Sequence, residues 1–243
     1  MKTTIQALQR KLFEADRVTV LTGAGISAES GVPTFRGEDG LWRNHDVMDL
    51  VTPDGFARDP KLVWEFYNWR RELINSITFN PAHLALAEME KKVPHFTLIT
   101  QNVDGLHLKA GSVNILEIHG NLWKVQCTRC HTVSLDFSSN MGPLPTCREC
   151  GGLLRPHVVW FGESLDYDLL QSAVTASRGC DVMLVIGTSA VVQPAASLAL
   201  EAKAGGAVVA EINIEETPQS GAMDFTLHGK AGGIVPKLLE GWA

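Results

Sequence analysis

Short apolar runs of strand length alternate with amphipathic stretches along most of the chain. The runs are rich in β-branched residues, and most end at a glycine or a polar residue, as buried strands that enter a turn do. They cover residues 17–23 (RVTVLTG), 95–100 (HFTLIT), 113–120 (VNILEIHG), 181–187 (DVMLVIG) and 207–213 (AVVAEIN). Helix-like patterns such as PAHLALAEMEKK lie between several of them. Near-continuous apolar strands that alternate with helices predict an α/β fold with a parallel sheet.

Two stretches interrupt this alternation. One is a polar region rich in proline and glycine, from about residue 31 to 77, and the other runs from about residue 124 to 155 and holds four of the five cysteines. We expect both to be insertions that form a smaller lobe. The prediction is a single domain over residues 1–243. Its sheet lobe takes approximately residues 1–32, 79–123 and 156–243, and its small lobe takes approximately 33–78, which is helical, and 124–155, the cysteine module.

A helix in the first insertion, within VWEFYNWRREL, has an unusual polar flank. At 3.6 residues per turn, one stripe is predicted to face the core: Leu62, Phe66, Trp69 and Leu73. Arg71 is predicted to lie opposite this stripe, and Tyr67 and Arg70 share a flank beside it. Without further information, the pattern favours a surface arginine paired with a glutamate and a tyrosine that packs on the core.

Composition and charge narrow the class of protein. Of the 243 residues, 45% are hydrophobic and 20% charged, which is ordinary for a globular enzyme. No apolar run reaches the roughly 18 residues of a membrane span. The N-terminal sequence MKTTIQALQRKLFEADR predicts a helix and lacks the pattern of a signal peptide, so we expect a cytoplasmic protein. We also expect the protein to be a monomer. The net charge of −6 argues against non-specific nucleic-acid binding.

The paired cysteines have metal-ligand spacing. Cys127 and Cys130 form one C-x2-C pair, and Cys147 and Cys150 form a second pair sixteen residues further on. Four thiolates at this spacing are typical of a tetrahedral zinc site that has no open position and is therefore structural. The stretch CTRCH also fits a c-type haem attachment pattern, but that alternative leaves the second pair unexplained. Cys180, at the start of an apolar run, is predicted to be a core residue.

A glycine-rich turn follows the first apolar run. Residues 23–28 (GAGISA) fit the pattern G-x-G-x-x-G/A, in which glycines let the backbone approach a pyrophosphate. The usual dinucleotide unit continues with a helix and an acidic strand end, whereas Gly31-Val32-Pro33 cuts the helix short here. The pattern alone predicts a dinucleotide-like turn with an unusual loop.

Six motifs in one order extend this observation over nearly the whole chain: GAGISAESGVPTFRG, TQNVDGLH, EIHGNLW, the two cysteine pairs, VVWFGE and GTSAVVQPA. Together they resemble the sirtuins, a family of NAD-dependent protein-lysine deacylases. The resemblance implies a Rossmann-like parallel-sheet NAD domain with a smaller zinc-binding lobe formed by insertions. It implies that an acylated-lysine protein or peptide enters between the lobes. NAD is then consumed, and free lysine, nicotinamide and O-acyl-ADP-ribose are released.

The resemblance also assigns roles to individual positions. His119 is implied to be the base that activates a ribose hydroxyl, a role that suits an imidazole because it titrates near neutral pH. The implied cofactor-binding residues are Gly23, Ala24, Gly25, Ile26, Ser27, Thr34, Phe35, Arg36, Trp42, Gln101, Asn102, Asp104, Gly187, Thr188, Ser189, Asn213 and Ala231. The segment implied to clamp the acyl-lysine peptide contains Val158, Trp160, Phe161, Gly162 and Glu163.

The Tyr67-x-x-Arg70 pair resembles one branch of the family, class III, which prefers succinyl, malonyl or glutaryl lysine. A fixed cation beside a hydroxyl donor suits a carboxylate that enters a partly desolvated pocket. Val51 departs from the small alanine of that branch, and its extra methyl groups are expected to narrow the acyl pocket. We therefore expect activity on acetyl-lysine as well as on acidic acyl groups.

Two alternatives stay open from the sequence. The same fold supports an ADP-ribosyltransferase or a lipoyl-lysine hydrolase, which product analysis would separate from a deacylase. A zinc-ribbon binding protein with an inactive NAD fold would need a basic, aromatic surface around the cysteines. The acidic residues Asp136 and Glu149 and the negative net charge disfavour that surface.

Overall fold

The computed structural model describes residues 2–34, 41–42 and 45–242. Its main sheet has six parallel strands: β1 (Arg17–Thr22), β4 (His95–Thr100), β5 (Ile115–Glu117), β9 (Val182–Ile186), β10 (Val208–Asn213) and β11 (Phe225–His228). The strands lie in the order β11-β10-β9-β1-β4-β5. This is the doubly wound order of a Rossmann fold, with its switch point between β1 and β9, where ligands of such sheets bind. The predicted parallel α/β fold is confirmed.

Helices cover both faces of the sheet. They are α1 (Lys2–Glu14), α2 (Ala24–Ala28), α6 (Pro81–Lys92), α7 (Leu106–Lys109), α8 (Tyr167–Arg178), α9 (Leu198–Ala204) and α10 (Ala231–Ile234). Side chains of β1 pack into the apolar cores on both sides of the sheet, because successive side chains of a strand point to opposite faces. Val18 and Val20 pack in the core that contains Leu8 of α1 and Leu86 of α6, and Leu21 packs in the core beneath α8 and α9.

The two insertions form the small lobe. The first provides β2 (Leu41–Trp42), β3 (His45–Asp46), α3 (Val47–Leu50), α4 (Pro53–Arg58) and α5 (Pro60–Ser76). The second forms an antiparallel sheet of β6 (Gly120–Cys127), β7 (Val133–Leu135) and β8 (Leu154–Val158), in the order β7-β6-β8. This small sheet reaches a few residues beyond both ends of the cysteine module, because β6 starts directly after His119 and β8 continues to Val158.

Helix α5 is buried on a wider face than its apolar pattern predicts. Phe66 is fully buried as expected, but Leu62, Trp69 and Leu73 are only partly buried. The placement of Arg71 opposite the core is wrong, since its side chain is only 1% exposed. The cysteine module packs against that side of the helix, so polar residues there are buried by a segment more than 50 positions away in the chain.

None of the helices in the described ranges is long and apolar enough to span a bilayer.

Candidate active site

A cavity of about 710 Å³ lies at the carboxyl ends of the strands, at the switch point of the sheet. Its lining includes most of the residues predicted to bind NAD or the peptide: Gly23, Ala24, Gly25, Thr34, Gln101, Asn102, His119, Trp160, Phe161, Gly162, Glu163, Gly187, Thr188, Ser189 and Asn213. The space that these residues surround has the size of a large ligand site.

The glycine-rich turn packs directly on the loop after β9. A Cβ atom added to Gly25 would lie 2.8 Å from the Cα of Gly187, and the Gly25 N–H donates to the Gly187 carbonyl at 2.8 Å. Gly187 itself has a φ of 61°, which favours glycine. The two loops approach so closely that neither position leaves room for a side chain. Residues 23–25 line the cavity at this contact.

Side-chain amides tie the ends of neighbouring strands together around this turn. The Asn102 amide donates to the Gly23 carbonyl and to Ser27 Oγ, both at 3.1 Å. The Gln101 amide donates to Thr188 Oγ1 at 3.0 Å, and the Asn213 amide donates to the Thr188 carbonyl at 3.0 Å. The carboxyl ends of β4, β9 and β10 are thereby held in one arrangement before any ligand binds.

A buried polar network beneath Asn102 was missed by the sequence analysis. Thr22 Oγ1 lies 2.9 Å from Thr100 Oγ1 and 3.0 Å from His107 Nε2, and the ring of His107 lies 4.7 Å from that of His83. Thr100 Oγ1 in turn accepts from the Asn102 backbone N–H at 3.0 Å. Burial lowers the pKa of His83 to about 4, so this ring is neutral at physiological pH. These residues come from three separate segments of the chain, and the motif TQNVDGLH contains only two of them, Thr100 and His107.

His119 follows β5 and is half-buried at the cavity wall. Its Nδ1 lies 3.1 Å from the backbone carbonyl oxygen of Gln101. A carbonyl can only accept, so Nδ1 carries the hydrogen and Nε2 keeps its lone pair. Burial lowers the pKa of His119, and the hydrogen bond to Gln101 partly offsets this. The geometry therefore provides a neutral imidazole with a free basic nitrogen.

Some predicted cofactor residues do not line the cavity. Ile26 and Ser27 are buried behind the glycine-rich turn, Trp42 packs against Phe66 in the small-lobe core, and Ala231 belongs to the sheet core. The predicted residues Phe35 and Arg36 lie outside the described residues.

Asp104 is also behind the cavity wall, with only 3% of its surface exposed. Burial raises the pKa of its carboxyl group, while hydrogen bonds from the Leu106 N–H and Ser27 and the charge of Arg70 lower it. Its Oδ1 accepts from the Leu106 N–H at 2.8 Å. The carboxylate therefore shapes the turn after β4 and stands close enough to Arg70 for their charges to interact.

Tyr67 and Arg70 lie next to each other on α5, as their spacing predicts. The Arg70 guanidinium carbon is 5.8 Å from the centre of the Tyr67 ring. The described residues that line the cavity do not include Tyr67, Arg70 or Val158. Trp160, which does line it, connects the cavity wall to Tyr67 by donating its indole N–H to the Tyr67 hydroxyl at 2.7 Å.

Arg155 and Glu163 hold the segment that carries Trp160. The carboxylate of Glu163 contacts the Arg155 guanidinium through both oxygens, at 2.5 and 2.9 Å. It also accepts from the Trp160 backbone N–H at 2.8 Å, and the Arg155 guanidinium carbon lies 3.6 Å from the centre of the indole. Glu163 was predicted in the peptide clamp, and its side chain is engaged within the protein. No sequence motif indicates this role for Arg155, because its partners become neighbours only when β8 forms.

The four paired cysteines meet in the cysteine module. Their sulfur atoms all lie within 4.8 Å of one another, with Cys127 Sγ 3.4 Å from Cys150 Sγ and Cys130 Sγ 3.7 Å from Cys147 Sγ. A tetrahedron with zinc–sulfur bonds of about 2.3 Å has sulfur–sulfur edges of about 3.8 Å. The cluster fits a structural zinc ion. Cys180 lies outside it and is buried, as predicted.

Comparison with known proteins agrees with this site. The sequence model of the Sir2 family matches residues 23–194. A Pyrococcus furiosus protein named NAD-dependent protein deacylase is 51% identical over 235 residues, which is 94% of each chain. The NAD-dependent protein deacylase sirtuin-5, mitochondrial, of Canis lupus familiaris is 46% identical over 258 residues, covering 95% of this chain and 83% of that protein. The solved complex of a Sir2 homolog with NAD superposes with a TM-score of 0.92 at 47% identity, covering 97% and 92% of the two chains.

Proposed function

Because the chain belongs to the Sir2 family and is an NAD-dependent protein deacylase, we propose that it removes succinyl and malonyl groups from lysine as well as acetyl groups. One observation carries this proposal: the Tyr67 hydroxyl and the Arg70 guanidinium lie together on α5, joined to the cavity wall by Trp160. A carboxylate is an acceptor with two oxygens, so a hydroxyl donor beside a guanidinium matches it in hydrogen bonding and in charge.

Tyr67 is buried and Arg70 is partly buried, and this burial strengthens their effect on an anion. Tyr67 is 1% exposed, and its phenol has a raised pKa because burial disfavours the phenolate. The hydroxyl therefore stays protonated at neutral pH and acts as a donor. In a partly desolvated site, charge-assisted hydrogen bonds are about twice as strong as neutral ones. A neutral acetyl group would gain none of this, so the two acyl classes differ in binding energy.

Val51 sets the expected limit on this preference. Its carbonyl accepts from the Phe161 N–H at 2.9 Å, and its side chain packs against the core that contains Tyr67 and Trp160. The two methyl groups take up space beside the acyl-recognition residues. We propose that malonyl and succinyl groups are accepted and that bulkier acyl groups are disfavoured, because overpacking of this kind costs about 1–3 kcal/mol.

His119 is proposed as the general base of the reaction. Bound NAD supplies the ribose to which the acyl group is transferred, so no redox change occurs. With NAD bound, His119 Nε2 would take a proton from a ribose hydroxyl, and the Gln101 carbonyl holds Nδ1–H so that the ring keeps one orientation. Asn102 and Gln101, fixed to both glycine-containing loops, are proposed to orient the nicotinamide end. The four cysteines are proposed to hold one structural zinc ion.

The acyl preference is tested by comparing kcat/KM for one peptide that carries either succinyl-lysine or acetyl-lysine. Arg70→Met is expected to lower the succinyl-to-acetyl ratio by at least about tenfold, the size of a hydrogen bond to a charged group. Lys61→Met, which removes an exposed cation from the same helix, serves as the matched control and should leave the ratio unchanged. Equal losses on both peptides in Arg70→Met would refute the carboxylate role.

The same assay separates the alternatives on this fold. Mass spectrometry of a deacylase reaction shows free lysine and O-acyl-ADP-ribose, whereas an ADP-ribosyltransferase adds mass to the protein or peptide. A lipoyl-lysine peptide tests the hydrolase alternative. The cytoplasmic location and the monomeric state stay predictions, for cell fractionation and light scattering to test.

A further inference from the structure

The hydrogen bond between Trp160 and Tyr67 has a defined direction. The indole nitrogen of Trp160 carries a hydrogen and has no lone pair to accept with. At 2.7 Å it must donate to the Tyr67 oxygen, which therefore uses an acceptor position in this bond. The phenolic hydrogen of Tyr67 must consequently point away from Trp160.

That hydrogen has no acceptor among the described residues. Tyr67 is 1% exposed, and its only hydrogen-bond partner in the described part of the chain is the Trp160 indole. Buried hydroxyl donors are normally paired, so an unpaired one points to a ligand or solvent acceptor. The neighbouring guanidinium of Arg70 cannot accept, because it has only N–H donors. Both groups therefore suit the same kind of ligand atom, an anionic oxygen.

The orientation of the indole is set by other residues. The Trp160 backbone N–H is held by Glu163 at 2.8 Å, and the indole lies against the Arg155 guanidinium at 3.6 Å and against the Phe56 ring at 5.2 Å. The contacts of Arg155 with both Glu163 oxygens complete this arrangement. The indole thus stays in place whether or not Tyr67 carries a hydroxyl.

We propose that Trp160 is a positioning residue for acyl selectivity: its indole N–H occupies the acceptor side of the Tyr67 hydroxyl and so directs the phenolic hydrogen towards the carboxylate of an acidic acyl-lysine. The inference rests on the proposed preference for acidic acyl groups and assigns part of it to a residue that need not touch the carboxylate. In this role Trp160 acts through Tyr67, in addition to its predicted place in the peptide-binding segment.

The test is a double-mutant cycle on the succinyl-to-acetyl ratio of kcat/KM. Trp160→Phe keeps an aromatic ring and removes the indole donor, while Tyr67→Phe removes the hydroxyl. We expect Tyr67→Phe to lower the ratio about tenfold and Trp160→Phe about fivefold, mainly through KM for the succinyl peptide. The double variant should match Tyr67→Phe, because an indole has nothing to orient once the hydroxyl is gone.

Trp64→Phe is the matched control. Trp64 lies on the same helix, is fully buried, and donates its indole N–H to the Leu154 carbonyl at 2.9 Å, so its replacement also removes one buried indole hydrogen bond. This variant should keep the wild-type ratio.

A spectroscopic measurement reports the contact itself. The chain has two tyrosines, Tyr67 and Tyr167, so the variant Tyr167→Phe labelled with ¹³Cζ-tyrosine has a single tyrosine signal. This signal should move when Trp160→Phe is added and stay in place with Trp64→Phe. It should also move on binding of the succinyl peptide and not of the acetyl peptide.

The outcomes separate this inference from the function on which it rests. A lowered ratio in Trp160→Phe that is not additive with Tyr67→Phe supports it. If Tyr67→Phe loses selectivity while Trp160→Phe keeps it, or if the two effects add, the positioning role is refuted and the acidic-acyl preference stands. If the wild-type protein does not remove succinyl groups, the proposed function is refuted, and the role of Trp160 with it.

Discussion

Loss of a metal ion from the four-cysteine site should weaken α5, the helix that carries Tyr67 and Arg70, although none of the cysteines belongs to that helix. The suitable perturbation is Cys130→Ser, because Cys130 is exposed and its replacement removes one metal ligand without opening a cavity in the core. The binding of zinc to a structural site contributes directly to the free energy of folding. A site that has lost a metal ligand therefore loosens the segment around it.

The magnitude follows from the contacts between α5 and the cysteine module. Trp64 donates to the Leu154 carbonyl at 2.9 Å, and the Asn68 amide donates to the Gly142 carbonyl at 2.9 Å. Asn68 Oδ1 also accepts from the Met141 N–H at 3.0 Å. The buried Arg71 provides a fourth bond, to the Asp136 carbonyl. At about 1 kcal/mol net for each bond, the module contributes about 4 kcal/mol to the anchoring of α5. For a domain of this size, that corresponds to a fall in Tm of roughly 8–16 °C.

The assay combines thermal unfolding by circular dichroism with colorimetric measurement of released zinc. Cys180→Ser is the matched control, since this thiol is buried outside the cluster and donates to the Ser177 carbonyl at 3.1 Å, which a serine hydroxyl can also do. Cys130→Ser should lose zinc and melt at a much lower temperature. The reasoning is refuted if Cys130→Ser lacks zinc but melts within about 2 °C of Cys180→Ser, about the effect of a surface substitution.

Three further predictions concern the cavity. His119→Ala should lower kcat by at least about 100-fold without a change in Tm. The control is His228→Ala, because His228 is exposed. Substantial residual deacylation in His119→Ala would contradict the assigned base. The proposed base works in its neutral form, and burial lowers the pKa of His119 below the ordinary 6.5, so kcat/KM should be retained as pH falls through 6.5 and decline only below it; an acid limb above 6.5 would exclude this group. Gly25→Ala should lower Tm and weaken ADP-ribose binding in calorimetry, because its Cβ would lie 2.8 Å from Gly187 Cα; unchanged affinity would show that the two loops can separate.

Several features follow from local sequence alone, for a physical reason. The apolar runs predict the central strands because burial on both faces demands an apolar side chain at nearly every position. The glycine-rich turn is recognisable because only glycine fits where two backbones approach to contact distance, as Gly25 and Gly187 do. The cysteine pairs predict their cluster because tetrahedral coordination limits the spacing of ligands. In each case the determining interaction lies within a few residues or imposes a strict residue type.

Contacts between distant segments decided the rest. Arg71 is buried only because the cysteine module covers its side of α5, which no helical period can indicate. The Nδ1-protonated form of His119 depends on the Gln101 carbonyl from a neighbouring strand end. The direction of the Tyr67 hydroxyl depends on Trp160, 93 residues later in the chain. Local sequence determined which chemical groups this protein carries, and tertiary packing determined which of them are buried, how they are protonated and how they are oriented.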